Sequence, residues 1–520
     1  GFVPAAAAGG ADSGACYSAD GACEEMASSG PIPPGRTCRD RGGIFDPGQS
    51  CRLPAPDYLN FNTMSGHYVS PLVIDHENGS VERVPPTDPR ARRFRAAGAV
   101  DAAIDWIKGR PADRPWMASV SFASVHTPVM QPPADELLAG NAASSHLDCG
   151  NIVAQRVLTN LMLESIDTEL ARLLIETGLA RRGDDGSLIY EPAKTDTMVI
   201  VLGDNGTLGS AVKLPFNVQR AKGTAYQTGV WVPLIIAGPL VASPDRAVTH
   251  MVNIADLFEL FGEIAELDVH QVAPRPLNSV AMLPYLLHPD QASLRTTNFT
   301  QVGPSFQANG ANNGPCVITT SCTQIPVSKS VCEDNNGIWY GPGSDVAGVP
   351  PEGLLRCCNV NAFVTARSQP TYFINPDSSA AVRDDRYKLV QNTTMEYQSQ
   401  ETPCVETVTT ELYAIDEAAP VPRLDNADKK LPVGSLTPQQ MTSYETLLAE
   451  LNKTLEVAPS CPGDGNIDSV VNQADLDGWA FYQRTSGLSS VYDFNLDGLT
   501  DAADRTIILD NLGRECNDRP

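Results

Sequence analysis

Thr197-Met-Val-Ile-Val-Leu202 is an unbroken apolar run, rich in β-branched residues, that leads directly into Gly203-Asp204-Asn205-Gly206. β-Branched side chains fit a pleated sheet, and a run without polar alternation predicts a strand covered on both faces. In open α/β sheets the loops at the carboxyl ends of strands converge on one point, and ligands gather there. Asp204 and Asn205 stand at such an end. Together they offer two hard oxygen ligands suited to Ca²⁺ or Mg²⁺. Asp-Asn-Gly is also the composition of a simple turn, so the surrounding sequence has to decide.

That surrounding sequence alternates short apolar runs with amphipathic stretches from about residue 58 to 300, the pattern of an α/β sheet protein. Trp116-Met-Ala-Ser-Val-Ser-Phe122 reads as a strand ending before the loop that holds His126. Leu158, Met162, Ile166, Leu170 and Leu173 recur at helical spacing and predict a helix over about 154–176, with Gly178 near its end. A chain of 520 residues with 42% hydrophobic content can bury a large core and forms more than one folding unit. Its formal net charge of −25 argues against nucleic-acid binding, because no basic run concentrates the positive face that phosphates require. No stretch approaches the ~20 apolar residues of a membrane span. The chain opens at Gly1 with a small-residue segment that lacks the form of a signal peptide, from which we expect that an upstream segment was removed or never recorded.

Thirteen cysteines in clustered spacings predict disulfides and an oxidising compartment, hence a secreted, extracellular or periplasmic protein. One cluster is Cys16, Cys23, Cys38 and Cys51; the other is Cys316, Cys322, Cys332 and the Cys357/Cys358 pair. Cys38-Arg-Asp-Arg-Gly-Gly-Ile-Phe45 and Cys332-Glu-Asp-Asn-Asn-Gly-Ile-Trp339 share a signature, as duplicated modules would. Zinc is the rival ligand, but no Cys-x-x-Cys pair or interleaved histidine supports it. Spacing alone leaves the pairing open, and the odd total makes Cys149 a candidate free thiol.

Three segments in order carry a family resemblance: Val120-Ser-Phe-Ala-Ser-Val-His126-Thr-Pro-Val-Met-Gln-Pro132, then Thr197 to Gly206, then Ala221-Lys222-Gly-Thr-Ala-Tyr-Gln-Thr-Gly-Val-Trp-Val-Pro233. The series resembles the motifs of sulfatases in the alkaline-phosphatase superfamily. It continues through Asn253-Ile-Ala-Asp-Leu-Phe-Glu-Leu-Phe261, Val382-Arg-Asp-Asp-Arg-Tyr-Lys388 and Glu411-Leu-Tyr-Ala-Ile415, and covers roughly 58–455 apart from the second cysteine module. The resemblance implies that Asp204 and Asn205 ligate a catalytic Ca²⁺, that His126 hydrogen-bonds the sulfate ester and that Lys222 contacts its oxygens. Gln227-Thr228 departs from the Glu-Gly of many relatives. The chemistry is coherent: a divalent cation and a fixed ammonium stabilise charge during S–O cleavage, and an imidazole donates a proton or hydrogen bond.

The same family makes its nucleophile, a formylglycine, from the Cys or Ser of a Cys/Ser-x-Pro/Ala-x-Arg motif, and adds an Asp-Asp pair after its first strand. Neither stands before His126. Ser379-Ala-Ala381-Val-Arg383 fits by letters but follows Lys222, and Asp184-Asp185 reads as a polar turn. The expectation is a formylglycine in a missing N-terminal segment, or else a degenerate homologue, and in both cases no turnover by this polypeptide alone.

After Pro462 the chain repeats an oxygen-rich pattern. Asp464, Asn466, Asp468, Asn472 and Asp475 occupy positions 1, 3, 5, 9 and 12 of one loop; Asp493, Asn495, Asp497, Asp501 and Asp504 occupy those of a second. With the carbonyls of Val470 and Leu499 at position 7, each predicts an EF-hand-like Ca²⁺ site. Asp at position 12 and a helix only after each loop resemble a type I dockerin. Ser469 replaces the usual Gly of position 6. Cys461 and Cys516 flank the module and could clasp it. In dockerins, positions 10 and 11 help to select the cohesin partner; here they are Gln473-Ala474 and Ala502-Ala503, which name none.

The expected fold class is α/β: a sulfatase-like mixed sheet with helices on both faces, a smaller C-terminal α+β subdomain, disulfide-rich insertions and a small all-α dockerin-like module. The expected division is a Cys-rich module over 1–57, a partial core over 58–310, a second Cys-rich insertion over 311–358, the C-terminal subdomain over 359–458 and the calcium module over 461–516. The expected function is sulfuric ester hydrolysis, with a sulfated glycan as substrate, a cohesin-like scaffold as partner, and neither nucleic acid nor a membrane span. A phosphoester or phosphonate ester hydrolase of the same superfamily and a non-catalytic calcium-binding surface protein are the alternatives.

Overall fold

The computed structural model describes residues 13–515 apart from 19, 29–33, 42, 57–58, 61–65, 68–71, 77–78, 85–87, 112, 127–128, 139–151, 214–215, 273–276, 303–313, 324–328, 335–336, 417–423, 426–428, 457–460, 467–469, 486–491, 493 and 496–499. These residues form two compact units. The first holds the chain through Thr197 with Ser210–Lys213 and Ser330–Ile338; the second holds Met198–Gly209, Leu214–Lys329 and Trp339–Pro520. Cys149, Asp468, Ser469, Asp493, Asp497, Leu499 and Cys516, singled out above, lie outside the described residues.

In the first unit, β1 (Ser13–Tyr17) pairs antiparallel with both β2 (Cys23–Ala27) and β3 (Ile44–Pro47), and the short helix α1 (Pro34–Asp40) lies between β2 and β3 in sequence. Strand alternation sends Ala15 and Tyr17 to one face with Ile44, and Cys16 to the other with Cys38 and Phe45. Disulfides Cys16–Cys38 and Cys23–Cys51 staple these two thin cores. Helices α2 (Arg95–Lys108) and α3 (Ile152–Glu176) then pack through Val100, Ile104 and Leu173 at one end and Phe94, Ala96, Leu158 and Met162 at the other. The helical spacing read from the sequence thus names the buried stripe of α3. Gly178 follows with φ 75°, a left-handed conformation that glycine adopts without a Cβ penalty, and closes the helix by donating to the Ile175 carbonyl. Asp184-Asp185 is a hairpin turn, where Asp185 Oδ1 accepts from the backbone and hydroxyl of Ser187.

Trp116–Phe122 is not a strand. An extended run becomes one only when a neighbour takes up its N–H and C=O groups, and no ladder partner exists among the described residues. Met117 is 61% exposed, while Val120 and Phe122 lean onto the α2–α3 core.

The second unit opens with β4 (Val199–Leu202), which pairs antiparallel with β5 (Leu234–Ala237). Ile200, Leu234 and Ile236 pack onto Leu257 and Leu260 of α4 (Asp256–Ile264), but Ile235 on the opposite side is 61% exposed. The strand expected to be covered on both faces is therefore covered on one, as an antiparallel pair permits. A large mixed sheet with helices on both faces is likewise not observed among the described residues. The protein is mixed α/β, and its largest sheet lies further along the chain.

That sheet has the order β6 (Asn298–Val302), β10 (Ser378–Arg383), β11 (Tyr387–Glu396), β12 (Val405–Ala414), β13 (Lys430–Leu431), antiparallel throughout. Between β6 and β10 come β7 (Cys316–Ile318), β8 (Ser321–Thr323), α5 (Cys357–Thr365) and β9 (Phe373–Ile374). Alternate residues serve opposite faces. Ala380, Val382, Leu389 and Leu412 meet Leu447 and Leu451 of α6 (Pro438–Glu456), while Ala381, Val390, Tyr413 and Ile415 meet Ala225 and Tyr226 of the loop that carries Lys222. The β10–β11 turn is set by Asp384, whose Oδ1 accepts from the amides of Arg386 and Tyr387.

β7 and β8 form the second cysteine hairpin, stapled by Cys322–Cys357. Cys316, Cys332 and Cys461 are also disulfide-bonded, which removes the zinc alternative for them. Cys404, outside the cluster seen in the sequence, pairs with Cys358 across 46 residues and ties α5 to the start of β12. Closing a loop of that length restricts the unfolded chain by about 2–4 kcal/mol. Replacing Cys358 and Cys404 together by Ala is expected to lower the unfolding free energy by about that amount; chemical denaturation of both proteins measures it, and an unchanged midpoint contradicts it.

Candidate functional site

The second unit brings Asp204, Asn205 and Lys222 onto neighbouring, mutually bonded segments. Beyond β4 the chain stays fastened to the segment that leads into β5, including the short helical turn Gln227–Val230: the Gly203 amide donates to the Pro233 carbonyl, Gly206 to Gly229 at 2.7 Å and Thr207 to Thr228. The Lys222 amide donates to the Thr207 carbonyl at 2.9 Å. Gly206 has to be glycine, since a Cβ there would lie 2.1 Å from the Thr228 oxygen. Asp204 is exposed and takes its neighbour's amide with one oxygen at 2.8 Å, and the Lys222 side chain is exposed as well. A carboxylate oxygen and a carboxamide therefore remain as hard donors. They fit part of a calcium coordination sphere, which takes six to eight oxygens. Among the described residues no group of three or more His, Cys, Asp or Glu side chains could hold a metal.

The Lys222 loop is anchored by a buried polar network, in which Arg220 and Asp425 lie outside the motif segments. The Arg220 guanidinium lies 4.0 Å over the Tyr226 ring, donates to the Tyr413 hydroxyl at 2.7 Å and to the Asp425 carbonyl, and pairs with Glu411 at 3.4 Å. Glu411 also accepts from Tyr226 Oη at 2.6 Å and Tyr413 Oη at 2.7 Å. Burial pushes the Glu411 carboxyl up, but these hydroxyls with Arg220 and Lys430 outweigh it and hold the group below the usual range. Burial pushes both tyrosines up, so they stay protonated. A second pair, Lys388 and Asp425 at 3.1 Å, brackets Gln227: Lys388 Nζ donates to its side-chain oxygen and Asp425 accepts its amide. No local signal reveals the contacts that tie the loop to the sheet, because Arg220, Tyr226 and Gln227 lie more than 150 residues from Tyr413, Glu411 and Lys388.

Ser379, which fits the serine form of the formylglycine motif by letters, is 2% exposed within β10, and its hydroxyl donates to Asn392. It is a structural serine.

His126 belongs to the first unit, where its ring is exposed on a loop whose flanks are pinned: Phe122, Val125, Val129 and Met130 pack into the core of α2 and α3. Downstream, Gln131 is wholly buried and Glu136 is 7% exposed, accepting from Ser165 of α3. Burial first, then the charges of Glu169 and Asp135, push Glu136 up to about 7, against the Ser165 hydrogen bond and Arg172.

At the C-terminal end the two oxygen-rich loops share one geometry. Asp475 Oδ1 accepts the amides of Gly465 and Asn466 while its Oδ2 accepts that of Asn472; Asp504 Oδ1 accepts those of Phe494 and Asn495 while its Oδ2 accepts that of Asp501. Both carboxylates are fully buried. Asn472 and Asp501 each cap the helix that follows, α7 (Gln473–Thr485) and α8 (Ala502–Asp510). Val471, Trp479, Tyr492 and Ile508 form the core between them, and Val470 bridges to Glu515.

No family model matches the chain. Over 168 residues, 32% of its length, it is 33% identical to a sulfatase of Formosa agariphila, of which that stretch is 29%. The chain thus spans less than a third of the curated relative it matches. A phosphonate monoester hydrolase from Silicibacter pomeroyi, SpPMH, aligns with a TM-score of 0.40 at 14% identity, over 75% of this chain and 64% of that one. The chain is sulfatase-like by sequence over about a third of its length.

The placement of Glu136 has a pH consequence. A carboxyl whose folded pKa of about 7 exceeds its ordinary value of 4.5 binds protons more tightly in the folded state, so stability falls as pH rises through that window. The loss is on the order of 2 kcal/mol after allowing for solvent screening. Glu136→Gln is expected to flatten this part of the profile of unfolding free energy between pH 5 and pH 8; superimposable profiles contradict it.

Proposed function

We propose that this chain binds sulfate esters as part of a calcium-dependent sulfatase that acts on sulfated glycans outside the cell, with a calcium-binding, dockerin-like module at its C-terminal end. The observation that carries the reading is the backbone bond from Lys222 to Thr207, which ties an exposed lysine to the segment that follows Asp204 and Asn205. The sulfatase relative supports it. Asp204 and Asn205 would hold the Ca²⁺, which when bound supplies positive charge to the ester oxygens. Lys222 adds a point charge for an anionic oxygen, and the His126 imidazole is suited to hydrogen-bond the ester or protonate its leaving oxygen. No Cys/Ser-x-Pro/Ala-x-Arg motif precedes His126 and Ser379 is buried, so no residue here is assigned the attack on sulfur. This polypeptide alone is expected to bind without turnover.

The disulfides fit an oxidising compartment. No helix among the described residues is long and apolar enough to cross a membrane. Two fully buried carboxylates, Asp475 and Asp504, accept backbone amides of the oxygen-rich loops, and oxygen side chains at positions 1, 3, 5, 9 and 12 of each loop suit a bound Ca²⁺. Positions 10 and 11 of the two loops, Gln473-Ala474 and Ala502-Ala503, are exposed and available to a cohesin-like scaffold.

Calorimetric titration tests the site. Inorganic sulfate is expected to bind in the presence of Ca²⁺, at least ~10-fold more weakly to Lys222→Ala, the effect of losing a charge-assisted contact. Absence of sulfate binding sinks the proposal, tighter binding of phosphate redirects it to phosphoester chemistry, and hydrolysis of an aryl sulfate by the purified chain overturns the statement on turnover. For the C-terminal module, chelation is expected to abolish hydrogen-exchange protection in 464–513; unchanged protection would remove the calcium assignment.

A further inference from the structure

The network beneath Lys222 is built at a cost that packing alone does not require. Burying Arg220 and Glu411 removes two charges from water, and an apolar pair of similar volume commonly gives equal or greater stability. What the charges add is direction. Arg220 donates through Nη1 to the Tyr413 hydroxyl and the Asp425 carbonyl and through Nη2 to Glu411 while its flat face rests on Tyr226, so its position is fixed by four groups at once. Two residues later comes Lys222; four residues beyond that, Tyr226 is held by Glu411 and by Asn392, and Gln227 by Asp425 and Lys388. Both ends of the segment that carries Lys222 are thereby fixed to β11, β12 and Asp425. Between them Gly223 has φ 89° and Thr224 bonds back to the Ala221 carbonyl, giving a tight turn with little slack.

We infer that Arg220 is a positioning residue for anion binding: through Glu411, Tyr226 and Tyr413 the five-stranded sheet sets where the Lys222 ammonium stands relative to the Asp204–Asn205 loop, and so sets the affinity for the anionic oxygens of the ester. The inference rests on the proposed sulfate-binding role of Lys222. Arg220 itself is 9% exposed, and its guanidinium is turned to Tyr413, Asp425 and Glu411. Lysine cannot replace it, because a single ammonium lacks both the fork and the stacking face.

The test uses the full 520-residue chain with Ca²⁺ and inorganic sulfate as probe. Arg220→Lys, and the charge-free pair Arg220→Met with Glu411→Leu, are compared with the natural protein by three measurements: the thermal midpoint, sulfate affinity by calorimetry, and hydrogen exchange of the Lys222 amide, whose bond to Thr207 reports the loop directly. The expected result for both variants is a sulfate affinity at least ~10-fold weaker and faster exchange at Lys222 than in the natural protein, with β11 and β12 still protected. The paired variant covers the case in which the lone substitution fails to fold, since it leaves no buried charge unpartnered. Natural affinity and natural Lys222 exchange in the folded paired variant overturn the inference. If the natural chain binds no sulfate, the proposed function fails by itself; the exchange rate at Lys222 still decides whether Arg220 positions the loop.

Discussion

A buried ion pair, Arg220 with Glu411, organises the second unit. Neither charge could persist in that interior alone, since desolvation of an unpaired ion costs several kcal/mol. Each is surrounded by partners that leave little of its hydrogen-bonding capacity unused: two tyrosine hydroxyls for the carboxylate, a carbonyl and a hydroxyl for the guanidinium, and an aromatic face beneath. The pair joins a loop to strands almost two hundred residues away in sequence, and the position of the loop follows from it.

Strand periodicity makes this possible. A side chain that points to one face of a sheet leaves its neighbours to the other, so β11 gives Leu389 to α6 while Lys388, Val390 and Asn392 face the loop; β12 divides Leu412 from Glu411 and Tyr413 in the same way. The sheet is at once the wall of an apolar core and the floor of a polar one. The small units elsewhere hold by other means. The N-terminal three-stranded sheet has only two thin cores and is stapled by two disulfides. The C-terminal module centres its two loops on two buried aspartates.

Much of this was legible locally. Helix α3 could be read from Leu158, Met162 and Leu173, and the first disulfide cluster from its cysteines, because each signal lies within a few turns or one loop. What failed was the neighbourhood of strands. Nothing in Val199–Leu202 says that it pairs antiparallel with one partner, and nothing in Trp116–Phe122 says that it pairs with none; both depend on what chain lies alongside. Lys222, Asp204 and Glu411 stand in segments that a motif picks out. Arg220 and Asp425 do not, since their meaning arises only from contacts between distant segments. Cys404 escaped for the same reason, standing far from the cluster it joins.

The Asp384 turn has a role out of proportion to its size. It fixes how β10 and β11 align, with Arg383 opposite Lys388 and Ala381 opposite Val390. One extra residue there would rotate every β11 side chain to the opposite face. Lys388 and Asn392 would point toward α6 and Leu389 toward the Lys222 loop, so an insertion in a surface hairpin would rewrite the support of that loop without altering a residue within it. The tolerance of this protein to change in its loops is therefore uneven: such a hairpin behaves as part of the site's specification, and lengthening it is equivalent to mutating several buried residues together.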